Sequence, residues 1–188
     1  DPLFYQVLTD QLFEFIPSSN SYNPVGVPTG FRYNALGYNE LDGFMYAIAV
    51  GAGNDVLGNP VVKNDLILID ATGAAYYIAT TNLPLYSVSY NAGDIKNGAL
   101  ICRVNANGAE VHSVDLTTGN ATLLGDGFGA ADGVIIGDNF YGVHNDTLYN
   151  FSLLNNSITT STIDLCSGGS IPTGGYGAAF GVNNDELY

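Results

Sequence analysis

The chain has 188 residues, 46% of them hydrophobic and only 12% charged, with 18 acidic side chains against 4 basic ones and a formal charge of −14. That excess of negative charge repels phosphate backbones and anionic lipid, so nucleic acid is not expected as a partner. No run approaches the roughly 20 apolar residues of a helical membrane span, and one domain, residues 1–188, is the reading for this length.

The chain opens on Asp1-Pro2 without Met or an apolar leader, as expected of a mature chain after processing or of a piece of a longer one. Helical spacing is absent throughout. Instead, short runs of β-branched and aromatic residues recur between Gly, Asn and Asp clusters, which is the pattern of an all-β chain. The first such run is Gln11-Leu12-Phe13-Glu14-Phe15, followed by a polar turn through Asn20 and a second run closing on Val25-Gly26. Strands are then expected at Phe44 to Val50, Leu66 to Asp70, Ala75 to Thr80, Leu100 to Val104 and Glu110 to Leu116. Further strands follow at Gly133 to Ile136, Phe140 to His144, Thr147 to Leu153 and Thr159 to Leu165. Asp42-Gly43, Thr72-Gly73, Asn107-Gly108, Thr118-Gly119 and Gly137-Asp138-Asn139 separate them, residues suited to the positive φ of tight hairpins.

The runs repeat. Taking Leu12, Leu66, Val111, Leu148 and Leu187 as equivalent gives steps of 54, 45, 37 and 39 residues. Their mean, about 44 residues, matches the roughly 40 to 50 residues of a four-stranded propeller blade. A small-residue landmark precedes each hairpin: Tyr33-Asn34-Ala35-Leu36-Gly37, Tyr90-Asn91-Ala92-Gly93, Gly129-Ala130-Ala131-Asp132-Gly133 and Tyr176-Gly177-Ala178-Ala179-Phe180-Gly181. Small side chains suit an innermost strand, where blades converge on an axis. The expectation is a β-propeller-like array of about four four-stranded blades. It forms an incomplete ring within this chain, continues beyond Tyr188, and is completed by a further segment or chain.

The stretch Phe31-Arg32-Tyr33-Asn34-Ala35-Leu36-Gly37-Tyr38-Asn39-Glu40-Leu41-Asp42-Gly43-Phe44-Met45-Tyr46-Ala47-Ile48 resembles the uncharacterised DUF6923 type of extracellular propeller-like repeat. The hairpins Leu66-Ile67-Leu68-Ile69-Asp70-Ala71-Thr72-Gly73 and Val114-Asp115-Leu116-Thr117-Thr118-Gly119-Asn120-Ala121-Thr122-Leu123-Leu124-Gly125 are similar to that family as well. The resemblance implies a surface or matrix module and supplies no catalytic residues.

Asn120, Asn145, Asn150 and Asn155 each open an N-glycosylation sequon, which with the near absence of Lys points to an extracellular glycoprotein. Cys102 and Cys166 are the only cysteines: they either pair, bond cysteines elsewhere, or remain buried thiols. Asp126, Asp132 and Asp138 lie in a loop-rich region and are weak candidates for a Ca²⁺ site, although Asp-Gly is also the ordinary turn pair. His112 and His144 read as strand histidines, surface-exposed or hydrogen-bonded, in preference to a metal pair or general base. Glu40 with Asp42, and Asp185 with Glu186, read as turn and solubility residues in preference to an acid–base pair. Tyr46, Tyr77, Tyr141 and Tyr149 read as packing between blades in preference to sugar-stacking platforms.

No nucleophile elbow, phosphate loop, paired-cysteine motif or zinc-helix motif is present. The expected function is therefore a non-enzymatic extracellular structural or interaction module, such as a self-assembling glycosylated subunit of a filament, sheath or surface layer. A carbohydrate-binding propeller is the alternative, and a hydrolase or lyase with an axial site is third. No cofactor is expected beyond the candidate Ca²⁺.

Overall fold

The computed structural model describes residues 4–104, 106, 108–163, 174, 181–182 and 186–187. All regular structure among them is β. Strands β1 (Phe4–Leu8), β2 (Gln11–Ile16) and β3 (Ser21–Val25) form a three-stranded sheet, blade 1. Blade 2 is β4 (Tyr33–Asn39), β5 (Phe44–Ala49), β8 (Leu66–Ile69) and β9 (Ala75–Ile78), with a small hairpin of β6 (Gly53–Asn54) and β7 (Pro60–Val61) inserted between its second and third strands. Blade 3 is β10 (Tyr90–Lys96), β11 (Ala99–Val104), β12 (Val111–Asp115) and β13 (Ala121–Gly125). Blade 4 is β14 (Val134–Ile136), β15 (Asn139–His144), β16 (Thr147–Ser152) and β17 (Ser157–Thr162), and a last pair follows as β18 (Gly181–Val182) and β19 (Glu186–Leu187). Every pairing within the blades is antiparallel, and within each blade the strands follow one another in chain order, so each blade is a meander, blade 2 with the β6–β7 hairpin inserted between β5 and β8.

Period-2 alternation assigns each side chain to one gap between blades. On β5, Met45, Ala47 and Ala49 face blade 1 and share a cluster with Leu12, Ile67 and Ile69. Tyr46 and Ile48 face the other way, joining Leu66, Leu100, Cys102 and Val114 in the gap between blades 2 and 3. The third gap holds Ile101 and Val111 of blade 3 against Phe140 and Phe151 of blade 4, with Phe128 stacked on Phe140 at 4.6 Å. No blade dries both of its faces alone, which is why sheets of this size occur only as a stack. Four small antiparallel sheets thus pack in the manner of propeller blades.

Two close approaches set the spacing of the stack. First strands lie against each other: a Cβ at Gly93 would fall 2.4 Å from the carbonyl oxygen of Ala35, and one at Gly37 would fall 3.0 Å from Cα of Asp94. Farther out, the turn between the third and fourth strands of one blade docks on the end of the preceding blade. The carbonyl of Gly119 accepts the N–H of Thr81 at 3.0 Å, and Ala121 returns a hydrogen bond to Thr81 at 2.9 Å. That turn is shaped by Asp115, whose Oδ1 accepts the N–H groups of Thr117 and Thr118. Asp70 does the same for Thr72 and Ala74 in blade 2, with Gly73 set against Val25 of blade 1. The repeated Asp and Thr-Gly of the hairpins are therefore joints between blades.

Three expectations need correction. Leu187 is not equivalent to Leu12, Leu66, Val111 and Leu148, which lie near the start of a blade's second-last strand. It pairs with Gly181 across the β18–β19 hairpin, and β18 lies against β14 as first strands do, so Leu187 occupies a second-strand position. The strand expected at Thr159 begins earlier, at Ser157, and ends at Thr162, while Asp164 and Leu165 lie outside the described residues. Tyr77 is 37% exposed and is not packed between blades as Tyr46 is. The landmark Tyr176 to Phe180 also lies outside the described residues.

Candidate functional site

The connection from Val50 to Asp65 is much longer than the corresponding turns of the other blades, and it builds one wall of a cleft of about 340 Å³ between blades 1 and 2. Val27, Pro28 and Phe31 line it from the link between the blades, Asp55 and Val56 from the inserted hairpin, and Ala75 from β9. That volume is in the range of small-ligand pockets. The only acid in the lining, Asp55, is fully engaged. Its Oδ1 accepts the N–H groups of Leu57 and Asn59 at 2.9 and 2.8 Å, and its Oδ2 accepts Asn59 Nδ2 and the Tyr77 N–H at 2.9 and 3.1 Å. Burial alone would raise its pKa, yet these donors outweigh burial and hold the carboxyl below its ordinary value. An acceptor so occupied organises the loop.

The same holds at the turns. Asp42 accepts Asn39 Nδ2, the Phe44 N–H and the Tyr46 hydroxyl, and its pKa is lowered despite partial burial, while the Tyr46 hydroxyl is pushed up to about 12 by burial and by Asp42. Hydrogen bonds from Thr72 to Asp70 and from Thr118 to Asp115 lower those two carboxyls in turn. Asp42 is therefore the turn residue expected. Asp185 lies outside the described residues, as does the side chain of Glu186.

Asp94 stands apart. It lies on β10, where it accepts the N–H groups of Ile95 and of Ile135 in blade 4. Burial raises its pKa to about 6 against the lowering effect of those two donors, and Glu40 adds to the rise. Unlike Asp42, Asp55, Asp70 and Asp115, it has its proton held by burial and not released by the donors around it.

The three calcium candidates are not gathered. Asp126 is exposed beyond β13, Asp132 caps the N–H of Gly133 ahead of β14, and Asp138 beyond β14 pairs with Lys96 at 3.2 Å. Among the described residues no group of three or more His, Cys, Asp or Glu side chains is placed to hold a metal ion. His112 and His144 sit in different blades. His112 departs from the expectation of a surface or hydrogen-bonded histidine: it is 1% exposed, its ring stands edge-on to Tyr90 at 5.6 Å, and neither ring nitrogen has a hydrogen-bond partner. Glu110 Oε2 lies 3.6 Å from its Nε2, beyond hydrogen-bond reach, and receives the Tyr86 hydroxyl instead. The alternation Val111-His112-Ser113-Val114 places His112 on the buried face with Val114, a signal that sequence reading alone can find.

Cys102 is the register partner of His112, but burial pushes its thiol pKa far up and lowers that of the imidazole, the reverse of an activated thiolate pair. Cys102 carries a free buried thiol, and Cys166 lies outside the described residues. Of the sequon residues, Asn120 and Asn155 are exposed at turns between third and fourth strands. Asn145 is in a tight turn at φ 53°, and Asn150 is in the middle of β16.

No helix among the described residues is long and apolar enough to cross a membrane. A search of curated proteins returns no match. Among solved structures the chain is similar to YjhT, with a TM-score of 0.54 at 13% identity over 98% of this chain and 70% of that one, a likeness of fold alone. A chain of a nidogen/laminin complex aligns at a TM-score of 0.32 and 10% identity, over 99% of this chain and 95% of that one. The model of a family described as a repeat of unknown function, DUF6923, matches residues 8–188, and the chain belongs to that family.

Proposed function

We propose that the protein is a non-enzymatic extracellular structural or interaction module, a glycosylated subunit of a filament, sheath or surface layer. One observation carries this reading: the carboxylates of the turns and of the cleft, Asp42, Asp55, Asp70 and Asp115, are all engaged by backbone N–H groups that hold the blades and their loops in place. Side chains that would serve as acid and base are here parts of the scaffold. What the stack offers a partner is a surface with acidic turns and a loop-built cleft.

The test joins two measurements on the purified protein. Electron microscopy across a concentration series is expected to show regular assemblies, and monomers at every concentration would remove the structural role. A broad ester and glycoside panel is expected to show no turnover, and turnover that vanishes in Asp94→Asn would replace this reading with an axial hydrolase or lyase. The cleft favours one second reading, binding of a small ligand such as a sugar, which a glycan array checks directly.

A further inference from the structure

The four sequons are chemically alike but differ in what the fold does to their amides. We propose that the secreted protein carries N-linked glycans on Asn120 and Asn155 and none on Asn145 or Asn150. The inference rests on the extracellular reading, because the modification needs the secretory pathway. In the transfer, Nδ2 of the asparagine forms a bond to C1 of an oligosaccharide carried on a lipid diphosphate. The bond from that carbon to the phosphate oxygen breaks, the lipid diphosphate leaves, and the amide loses one proton.

Transfer acts on the emerging chain, so the folded structure decides which modified chains reach the native state. A glycan is bulky and must lie in solvent. Asn155 meets that condition: it is exposed in the turn between β16 and β17, and the hydroxyl of Ser157, the third sequon residue, donates to its Oδ1 at 2.6 Å. Hydroxyl and amide are thereby in contact within the sequon and Nδ2 is left to solvent. Asn120 occupies the equivalent turn of blade 3. Thr81 Oγ1 and Asn82 Nδ2 bind its Oδ1 at 3.2 and 2.8 Å, a use of the oxygen that leaves the nitrogen available in an exposed residue.

Asn150 fails the condition. Tyr149 and Phe151 on either side of it pack toward blade 3, so alternation turns Asn150 to the opposite sheet face, where the next sheet begins to stack through β14 and β18. Its Oδ1 is buried without a partner. A sugar there would stand between two sheets. Asn145 is half-buried where Asn120 and Asn155 are exposed, it is held in the left-handed region of a tight turn, and the hydroxyl of Thr147, the third residue of its sequon, is directed to Asp146 and not to the asparagine amide. Both accessible sites lie on blades 3 and 4, so the sugars leave the cleft between blades 1 and 2 bare.

The test is glycopeptide mapping and intact mass of the full chain secreted from a eukaryotic host, with Asn120→Gln, Asn150→Gln and Asn155→Gln. Loss of one oligosaccharide mass in the first and third variants and no change in the second is the expected result. Secreted, folded protein bare at Asn155 or occupied at Asn150 overturns the assignment. Natural material without sugar, alongside a host product modified at both predicted sites, supports the assignment and overturns the extracellular reading instead.

Discussion

The carboxylate of Asp94 in blade 3 accepts the backbone N–H of Ile135 in blade 4 at 2.7 Å, joining two first strands. Because burial raises its pKa from 3.8 to about 6, the folded chain holds this proton across a range in which the unfolded chain has lost it. The contribution of Asp94 to stability is therefore full below about pH 4 and falls as pH rises towards about 6. Urea midpoints measured across that range should decline more steeply on acidification in Asp94→Asn than in the native protein. Parallel profiles would show that Asp94 titrates as an ordinary surface carboxylate.

His112 has the opposite dependence. Burial lowers its pKa below 6.5 and Glu110 only partly restores it, so the unfolded chain protonates first as pH falls. Its contribution is complete above about pH 6.5 and is lost as pH drops through the folded value. Two buried ring nitrogens without partners also cost stability, on the order of 1–3 kcal/mol per unsatisfied group. His112→Leu, which removes both and keeps a similar volume, should be at least as stable at neutral pH and less sensitive to acid. A loss above about 2 kcal/mol in denaturant titration would mean that the imidazole makes an essential contact.

Gly119 and Gly137 both have positive φ, at 67° and 60°, and Gly137 meets blade 3 only through its carbonyl, which accepts Lys96 Nζ at 2.6 Å, whereas the Cα of Gly119 itself is pressed against the blade before it. A Cβ at Gly119 would lie 1.8 Å from the carbonyl oxygen of Ala79, whereas one at Gly137 meets nothing within 4 Å. Gly137→Ala should cost about 1 kcal/mol from backbone strain alone. Gly119→Ala should cost more than about 3 kcal/mol, because the joint between blades 2 and 3 must open. Equal midpoints for the two variants in chemical denaturation would remove the docked turn as a source of cohesion.

What could be read in the chain was what is local. Alternation at Phe44 to Val50 and turn pairs such as Asp42-Gly43 and Thr118-Gly119 act within a few residues, and the blades follow from them. Second and third strands both carry apolar residues, as Met45-Tyr46 and Leu66-Ile67 do, so composition alone does not separate the second-strand Leu187 from third-strand residues such as Leu66. Asp94 sits unmarked inside a small-residue run, because its partner, Ile135, is 41 residues away. The calcium candidates had the reverse difficulty: Asp126, Asp132 and Asp138 are near in sequence, but β14 lies between the last two and a Lys96 from blade 3 takes the third. Proximity along a strand-rich chain is a poor guide to proximity in space, because each strand carries the backbone about 3.3 Å per residue.

Asp55 shows the same limit in the cleft, where its carboxylate ties the inserted hairpin to β9 through the N–H of Tyr77, 22 residues away. Removing it leaves three backbone N–H groups and the Asn59 amide without their acceptor. Asp55→Ala should lower stability by roughly 2–4 kcal/mol, since the lost bonds are charge-assisted and the site is buried. Asp55→Asn keeps Oδ1 for Leu57 and Asn59 but turns an NH₂ group towards two donors, so it should fall between the two. Limited proteolysis separates a local from a global effect: cleavage between Val50 and Asp65 should accelerate in Asp55→Ala under conditions where the rest of the chain stays intact. If digestion were unchanged, the wall of the cleft would be held by the Val61 packing and not by the carboxylate.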